Sequence, residues 1–298
     1  MAHHHKSDLR PLPVLAFFVL TYVWSWGSWL TAAVLGLAIT DPPGLLLYLL
    51  GVLGPLIGAA WVARCGTRAY RRAFLRRIWD PRGIPARWWL ALLAVAGGPA
   101  MLATVGISLT GQDAMAPGLS VGVVVAMAGP ALVAGLAEEP GWRGAVSDAW
   151  QARTRPVWAA AGIGVLWSVW HLPLIFVEGS YYHALGAGSV RVWLTHLMLV
   201  LLGILLVWLA NGAGGAILLA VLAHAAFNVT MGLVAGSTTR DVAAFLALAA
   251  AAVTVTIMTN GRLGLPATGG HERPGRSSPH APPPGDGGKG PASVRGST

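Results

Sequence analysis

The sequence predicts an all-α, polytopic membrane helix bundle with about eight transmembrane helices and both termini in the cytoplasm. Of its 298 residues, 55% are hydrophobic and only 10% are charged, whereas soluble domains carry about 25% charged residues. Apolar stretches of about 20 residues, the length that a helix needs to cross the hydrocarbon core, recur along the chain. The basic residues gather in alternate connecting segments. These observations exclude an ordinary soluble enzyme and a disordered chain.

Eight continuously apolar stretches are predicted to cross the membrane as helices, because the strands of a barrel would alternate in polarity. They are residues 14–38, 44–63, 88–109, 119–137, 157–177, 192–210, 213–235 and 242–259. The first stretch is too long for the hydrophobic region of a signal peptide, so it is predicted to be retained as a helix. An even number of crossings places both ends of the chain on one side.

The distribution of lysine and arginine predicts the orientation of the bundle. Eighteen of these residues fall in segments on the side of the termini, and two, Arg191 and Arg240, fall on the other side. Because basic residues concentrate in cytoplasmic loops, the termini are predicted to be cytoplasmic and the protein to be a multi-pass component of the plasma (inner) membrane. This distribution explains the net charge of +9 without nucleic acid as a partner.

Composition divides the chain into three parts. Residues 1–13 are predicted to form a short cytoplasmic N-terminus, and residues 14–262 are predicted to form the transmembrane bundle. Pro and Gly are frequent in residues 263–298, which lack the large apolar side chains that bury a core and are predicted to be a disordered cytoplasmic tail. The single cysteine, Cys65, excludes internal disulfides and Cys-rich metal sites.

Placing an ionisable side chain inside a membrane-spanning helix costs free energy, so each such residue indicates a functional site. The first group is the sequence EEPGWR at residues 138–143, at the end of the fourth predicted span. Glu139 and Arg143 have i,i+4 spacing and are predicted to pair on one helix face. Glu138 then points elsewhere, towards the bundle, where it can act as a base. Pro140 predicts a helix break at the two glutamates.

Two histidines and one asparagine lie in later spans. His171 lies about two-thirds along the fifth predicted span, and His224 and Asn228 share one face of the seventh. His196, in the sixth span, has no polar partner at helical spacing and is expected to be a packing residue or a helper in the same cavity. Four residues in predicted outer loops need no functional account: Asp113, Glu178, His183 and Asp241.

Glu138, His171, His224 and Asn228 can support hydrolysis in two ways. They can hold a divalent metal such as zinc with an open position for water. Alternatively, Glu138 and His171 polarise a water directly, while His224 and Asn228 stabilise an oxyanion. The sequence leaves both open. It also leaves open a non-catalytic immunity or scaffolding protein, in which the polar cluster is a structural clamp or binding site, and a small transporter.

Three motifs resemble those of the CPBP intramembrane endopeptidases, which comprise CAAX proteases of the prenyl-protein endoprotease type and bacteriocin-processing (Abi) proteins. The family pattern is Glu-Glu-x-x-x-Arg, an aromatic-x-x-x-His and His-x-x-x-Asn. It is matched in order by residues 138–143, 167–171 and 224–228, within a family-like core of about 119–232. The family usually has Phe where this chain has Trp167, which is interpreted as a packing position.

The resemblance implies an endopeptidase that hydrolyses CAAX-type or leader-peptide substrates, in a cavity open to the cytoplasm. It implies that Glu138 is the general base and that His171 helps to hold the water or metal. His224 and Asn228 would stabilise the oxyanion or complete the metal site.

The resemblance also implies a supporting role for Arg143, which would fix Glu139 and the helix end. The expected partners are the lipid bilayer and a membrane-associated protein or peptide substrate that reaches the site from the cytoplasmic leaflet.

Overall fold

A computed structural model describes residues 11–266 of the chain, which form helices joined by short connections. In chain order the helices are α1 Pro11–Val34, α2 Pro42–Val52, α3 Gly54–Cys65, α4 Arg68–Trp79, α5 Ala86–Ser108, α6 Val121–Glu139, α7 Ser147–Gln151, α8 Pro156–Trp170, α9 Tyr181–Leu185, α10 Val190–Gly212, α11 Ile217–Gly232 and α12 Thr238–Met258. A π-helix, Pro140–Val146, joins α6 to α7, and a 3-10 helix, Leu172–Phe176, follows α8.

Seven helical segments within residues 11–266 are long and apolar enough to cross a membrane. They are Pro13–Val34, Pro42–Cys65, Ala86–Ser108, Val121–Gln151, Pro156–Phe176, Val190–Gly212 and Thr238–Met258. The predicted all-α polytopic membrane fold is thus confirmed. The stretch predicted as the seventh of eight spans is α11, whose 16 residues extend roughly 24 Å. This is short of the hydrocarbon thickness of about 30 Å, and α11 packs against α5, α6 and α10.

The fourth span is longer than the sequence predicts. The prediction ends at residue 137, whereas the helical segment continues to Gln151. The predicted helix break at Pro140 is wrong: Glu139 has helical dihedrals (φ −65°, ψ −34°), and the chain widens into the π-helix without interruption. Pro140 cannot donate a backbone hydrogen bond, and the π-helix accommodates its ring within the helical path. The two glutamates therefore lie inside this span and not at its end.

The connecting segments gather at two ends of the bundle. At the first, which we call the bridge end, lie residues 35–41, 109–120, 177–189 and 233–237. Ile39 N donates to Glu178 O at 2.9 Å there, and Ala116 N donates to Leu233 O at 2.9 Å, beside the isolated β-bridge. At the other, the arginine end, lie residues 66–85, 152–155, 213–216 and 259–266.

Helix α4 carries arginines at the arginine end and is held to the bundle there. Phe74 and Ile78 are buried, and Arg77 forms an ion pair with Asp148 at the end of the fourth span. Arg77 Nε also donates to Gly215 O at 2.5 Å. Burial alone would lower the pKa of Arg77, but the Asp148 carboxylate raises it above its ordinary value, so the guanidinium stays charged.

The predicted N-terminal segment and Pro/Gly-rich tail lie outside the described residues, apart from residues 11–13 and 263–266.

Candidate active site

Helices α6, α8 and α11 bring the three sequence motifs to one cavity of about 370 Å³. Glu138, Trp167, His171, His224 and Asn228 all line it. Other parts of its wall are apolar and include Met127, Met198, Phe227 and Met231. All four predicted catalytic residues are therefore brought together, as the three motifs predict for a single site.

Glycines let the helices that carry the motifs approach closely. A Cβ added at Gly135 of α6 would lie 2.7 Å from the carbonyl oxygen of Val221 on α11. A Cβ at Gly164 of α8 would lie 2.9 Å from Val200 O on α10. Small residues at such crossings let backbones pack directly in membrane bundles, and here they set the separation across which the polar side chains meet.

The two glutamates have different partners, as their helical spacing predicts. Glu139 is fully buried, within ion-pair distance of Arg143 (Oε2 to Nε, 3.2 Å) and in contact with His224 (Oε1 to Nδ1, 2.7 Å). Glu138 instead faces the cavity. Glu139 thus joins α6 and the π-helix to α11, and Glu138 presents its carboxylate to the cavity.

His171 stands opposite Glu138 at the end of α8. Its Nδ1 lies 2.8 Å from the carbonyl oxygen of Trp167, which accepts the ring N–H. This leaves Nε2 as the ring's free lone pair, at 4.0 Å from Glu138 Oε2. That distance is too long for a direct hydrogen bond and short enough for one water to contact both atoms.

Trp167 does more than fill space, which corrects its interpretation as a packing position. Its Nε1 donates a 2.6 Å hydrogen bond to Glu138 Oε2. The Arg143 guanidinium lies 4.0 Å from the centre of its ring. Phe could supply the packing surface but not the N–H, so the residue in which this chain departs from the family pattern is the one that holds the glutamate.

Asn228 and His196 differ in their relation to the cavity. Asn228 lines it one helical turn beyond His224, and its side chain is exposed. His196 is not among the lining residues, and its Nδ1 lies 3.0 Å from Ser168 Oγ. Its ring packs against Tyr182, with centroids 5.4 Å apart. His196 is therefore placed as a packing residue beside the cavity wall.

Tyr182 is a wall residue that the sequence did not single out. Its ring packs against His171, with centroids 5.2 Å apart. Burial raises the pKa of Tyr182 well above its ordinary value, and the Glu138 carboxylate raises it further. The phenol consequently stays protonated and can donate a hydrogen bond at the cavity wall.

A buried charged group at the bridge end was also missed, because Asp241 was assigned to an outer loop. Asp241 lies in the first turn of α12, fully buried, and accepts from Arg191 Nε at 2.7 Å and Arg240 Nε at 2.8 Å. Arg240 also donates to Tyr181 Oη at 3.0 Å and lines the cavity. A signal was present in the sequence: Arg191 and Arg240 are the two basic residues of the predicted outer side, and Asp241 follows one of them directly.

The cavity lies between the middle of the bundle and the bridge end. Its wall contains Tyr181 from a bridge-end segment and Arg240 from the bridge-end turn of α12. The site was expected near the arginine end, because Glu138 was taken to end its span. With the span extended to Gln151, Glu138 lies near mid-span, and the cavity extends from it towards the other end.

The zinc expectation can be tested against this geometry. Two imidazoles and a carboxylate are ligand types that zinc accepts. However, residues 11–266 contain no group of three His, Cys, Asp or Glu side chains placed to hold one ion. The residues as placed do not fit a metal centre.

Fold and site together define a class: an integral, multi-pass, all-helical membrane protein with a carboxylate and two imidazoles at an internal cavity. Sequence comparisons relate the chain to a known family. The family model for the Rce1-like type II CAAX prenyl endopeptidases matches residues 120–230. The chain is 27% identical over 228 residues to CAAX prenyl protease 2 of Methanococcus maripaludis, covering 74% of this chain and 84% of that protein. The resemblance to the CAAX endopeptidase family is thereby confirmed, and it supports a membrane-embedded protease.

Proposed function

We propose that the protein is an intramembrane endopeptidase that hydrolyses membrane-associated peptide substrates with a water activated by Glu138 and His171. The observation that carries this is the 4.0 Å gap between Glu138 Oε2 and His171 Nε2 at the wall of an internal cavity. A carboxylate and an imidazole that face each other across one water position are suited to general acid–base catalysis.

In the first step the water, in contact with both side chains, attacks the carbonyl carbon of the scissile peptide. Its proton passes to the Glu138 carboxylate as the new C–O bond forms, and the carbonyl oxygen takes the negative charge. In the second step protonated Glu138 gives that proton to the leaving nitrogen as the C–N bond breaks. Glu138 ends ionised, and the products are a carboxylic acid, which then loses its own proton to water, and a new amine.

His224 and Asn228 would stabilise the oxyanion. The Nδ1 of His224 contacts Glu139 at 2.7 Å, which leaves Nε2 directed elsewhere. The Glu138 and Glu139 carboxylates carry two negative charges, and the Arg143 guanidinium carries one positive charge. A protonated His224 supplies the second positive charge and makes the cluster neutral. Its Nε2–H and the Asn228 amide then provide two donors for the oxygen on which charge develops.

The clamp alternative also has an observation in its favour. The Glu139–His224–Arg143 group joins two helices and is buried. We assign the structural role of joining the helices to Glu139 and Arg143. Glu138 and His171 face the cavity, and their side chains lie too far apart, at 4.0 Å, for a direct hydrogen bond. One chain can hold both functions because its adjacent glutamates point in different directions.

The test compares the protein termini in membranes of host cells that carry the natural chain or Glu138→Gln at matched expression. New termini that vanish in the variant would support hydrolysis and identify the substrate. Glu178→Gln, at an exposed position of the bridge end, is the control and should leave the new termini in place. Equal cleavage by natural chain and folded Glu138→Gln would refute the proposal.

A further inference from the structure

We propose that the outer face of α4 binds one anionic phospholipid, with the phosphate held by arginines and the acyl chain against two exposed apolar side chains. This face contains a shallow concavity of about 450 Å³ lined by Leu75, Arg76, Trp79, Asp80, Pro81 and Arg82. None of these six residues lines the internal cavity that holds the three motifs. Lipid binding here is therefore independent of the proposed hydrolysis.

Helix α4 lies where the chain turns from one span into the next. It follows the span Pro42–Cys65 and precedes the span Ala86–Ser108, so it lies at the membrane surface of the arginine end. Its inner face is fixed to the bundle, because Phe74 and Ile78 are buried and a Cβ added at Gly144 of the π-helix would lie 2.8 Å from the Phe74 ring. The opposite face is therefore held towards the lipid headgroups.

Two large apolar side chains lie on this outer face. Leu75 is 55% exposed and Trp79 is 62% exposed, and their i,i+4 spacing makes them neighbours on the helix surface. Tryptophan is enriched at the level of the headgroups because one part of its ring is apolar and another part is polar. A ligand that has an apolar chain next to its charged group therefore fits this face better than a purely ionic one.

The same face carries arginines that have no partner in the protein. Arg68, Arg72 and Arg76 follow one another at i,i+4 spacing and are exposed. These three and Arg82 have no ion-pair partner within residues 11–266. Basic clusters at a membrane surface attract anionic lipids, and a guanidinium can bind two phosphate oxygens at once. The group is therefore suited to a phosphate at the surface of the bilayer.

The charges of the concavity match one phosphate diester. Arg76 and Arg82 carry two positive charges and Asp80 carries one negative charge, so the lining has a net charge of about +1. Asp80 Oδ1 already accepts from the backbone nitrogen of Arg82 at 3.0 Å. A lipid with a net negative headgroup, such as phosphatidylglycerol, would make the site neutral. A zwitterionic headgroup would bring an additional cation close to the arginines.

Native mass spectrometry of the purified full chain in detergent tests the proposal. It measures the affinity for added phosphatidylglycerol and for phosphatidylcholine with the same acyl chains. The test variant is Arg76→Gln/Arg82→Gln. The control, Arg155→Gln/Arg262→Gln, makes the same change in charge on other connections of the arginine end. All four arginines are exposed, so both variants should keep the Tm of the natural chain.

We expect the natural chain and the control variant to bind one phosphatidylglycerol at least ten times more tightly than phosphatidylcholine. In Arg76→Gln/Arg82→Gln the affinity for phosphatidylglycerol should fall about 30-fold, since each arginine near anionic headgroups contributes about fivefold.

Equal affinity of the natural chain for the two lipids would overturn the proposal. An unchanged affinity in the test variant, or equal losses in the two variants, would overturn it as well. Displacement of phosphatidylglycerol by an equal concentration of glycerol 3-phosphate or of an oligoglutamate peptide would assign the site to a soluble anion or to an acidic protein segment instead. None of these measurements involves peptide hydrolysis.

Discussion

The indole nitrogen of Trp167 donates a 2.6 Å hydrogen bond to Oε2 of Glu138, across from the helix that carries the glutamate. The bond fixes the carboxylate in the cavity and keeps Oε2 at the 4.0 Å from His171 Nε2 that one water can bridge. Hydrogen bonds to a charged partner are worth about 1.5–3 kcal/mol, so the position of Glu138 depends measurably on one N–H.

Trp167→Phe should therefore lower kcat about 10-fold to 100-fold with a small effect on KM, because the ring surface stays and only the donor is lost. Peptide cleavage by purified protein in detergent or nanodiscs measures both constants. Trp170→Phe is the matched control, because the Trp170 indole is also buried but has no hydrogen-bond partner for its nitrogen. Equal kcat losses in the two variants would show that ring volume, and not the hydrogen bond, is what matters.

Glu139→Gln should lower stability more than Glu138→Gln does. It removes the anion that faces both Arg143 and His224 in a fully buried position, and breaking a buried pair costs about 3–5 kcal/mol. Thermal unfolding in detergent measures the difference. We expect a clear drop in Tm for Glu139→Gln and a folded, inactive Glu138→Gln. The reverse order of Tm values would contradict the separate roles of the two glutamates.

Gly135→Ala should separate α6 from α11. The added methyl would lie 2.7 Å from the backbone oxygen of Val221, which cannot rotate away, and overpacking of this kind costs about 1–3 kcal/mol. A lower Tm and a lower kcat should appear together, because Glu139 and His224 meet across the same helix pair. Gly129→Ala, on the same helix with no atom within 4 Å of the added carbon, should change neither.

Metal removal should leave hydrolysis intact. No three ligand side chains among residues 11–266 are placed to share an ion, and in the proposed steps Glu138 and His171 activate the water while His224 and Asn228 stabilise the oxyanion. Activity measured after incubation with 1,10-phenanthroline should equal that with the non-chelating 1,7 isomer. Loss of activity with the chelator alone, restored by added zinc, would show that the side chains rearrange to bind metal.

The sequence predicted the membrane fold, seven helices close to their observed positions and the four residues that share a cavity. These predictions were correct because the length of an apolar stretch and the spacing of residues on one helix can both be determined from a short stretch of sequence. The sequence analysis ended the fourth span too early because charged side chains such as Glu138, Glu139 and Arg143 are expected at the membrane surface when the residues that pair with them are unknown. His224 and Trp167, which satisfy them, are distant in sequence.

The roles of Trp167 and Asp241 were unpredictable for a related reason. Both act through contacts between different helices, with Glu138 in one case and with Arg191 in the other. Hydropathy and periodicity describe one helix at a time. They predict which side chains are buried but do not indicate which polar atoms meet, so the supporting residues of the site appeared only with the tertiary structure.

The π-helix at Pro140–Val146 also sets the rotational phase of the fourth span. Each residue of an α-helix turns the chain by about 100°, and a π-helical turn holds one residue more than an α-helical turn. Removing one residue from this segment would restore regular winding but rotate everything after it. Glu138 could then no longer face the cavity while Asp148 faces Arg77. The π-helix therefore links the direction in which the Glu138 carboxylate points to the attachment of α4 at the arginine end.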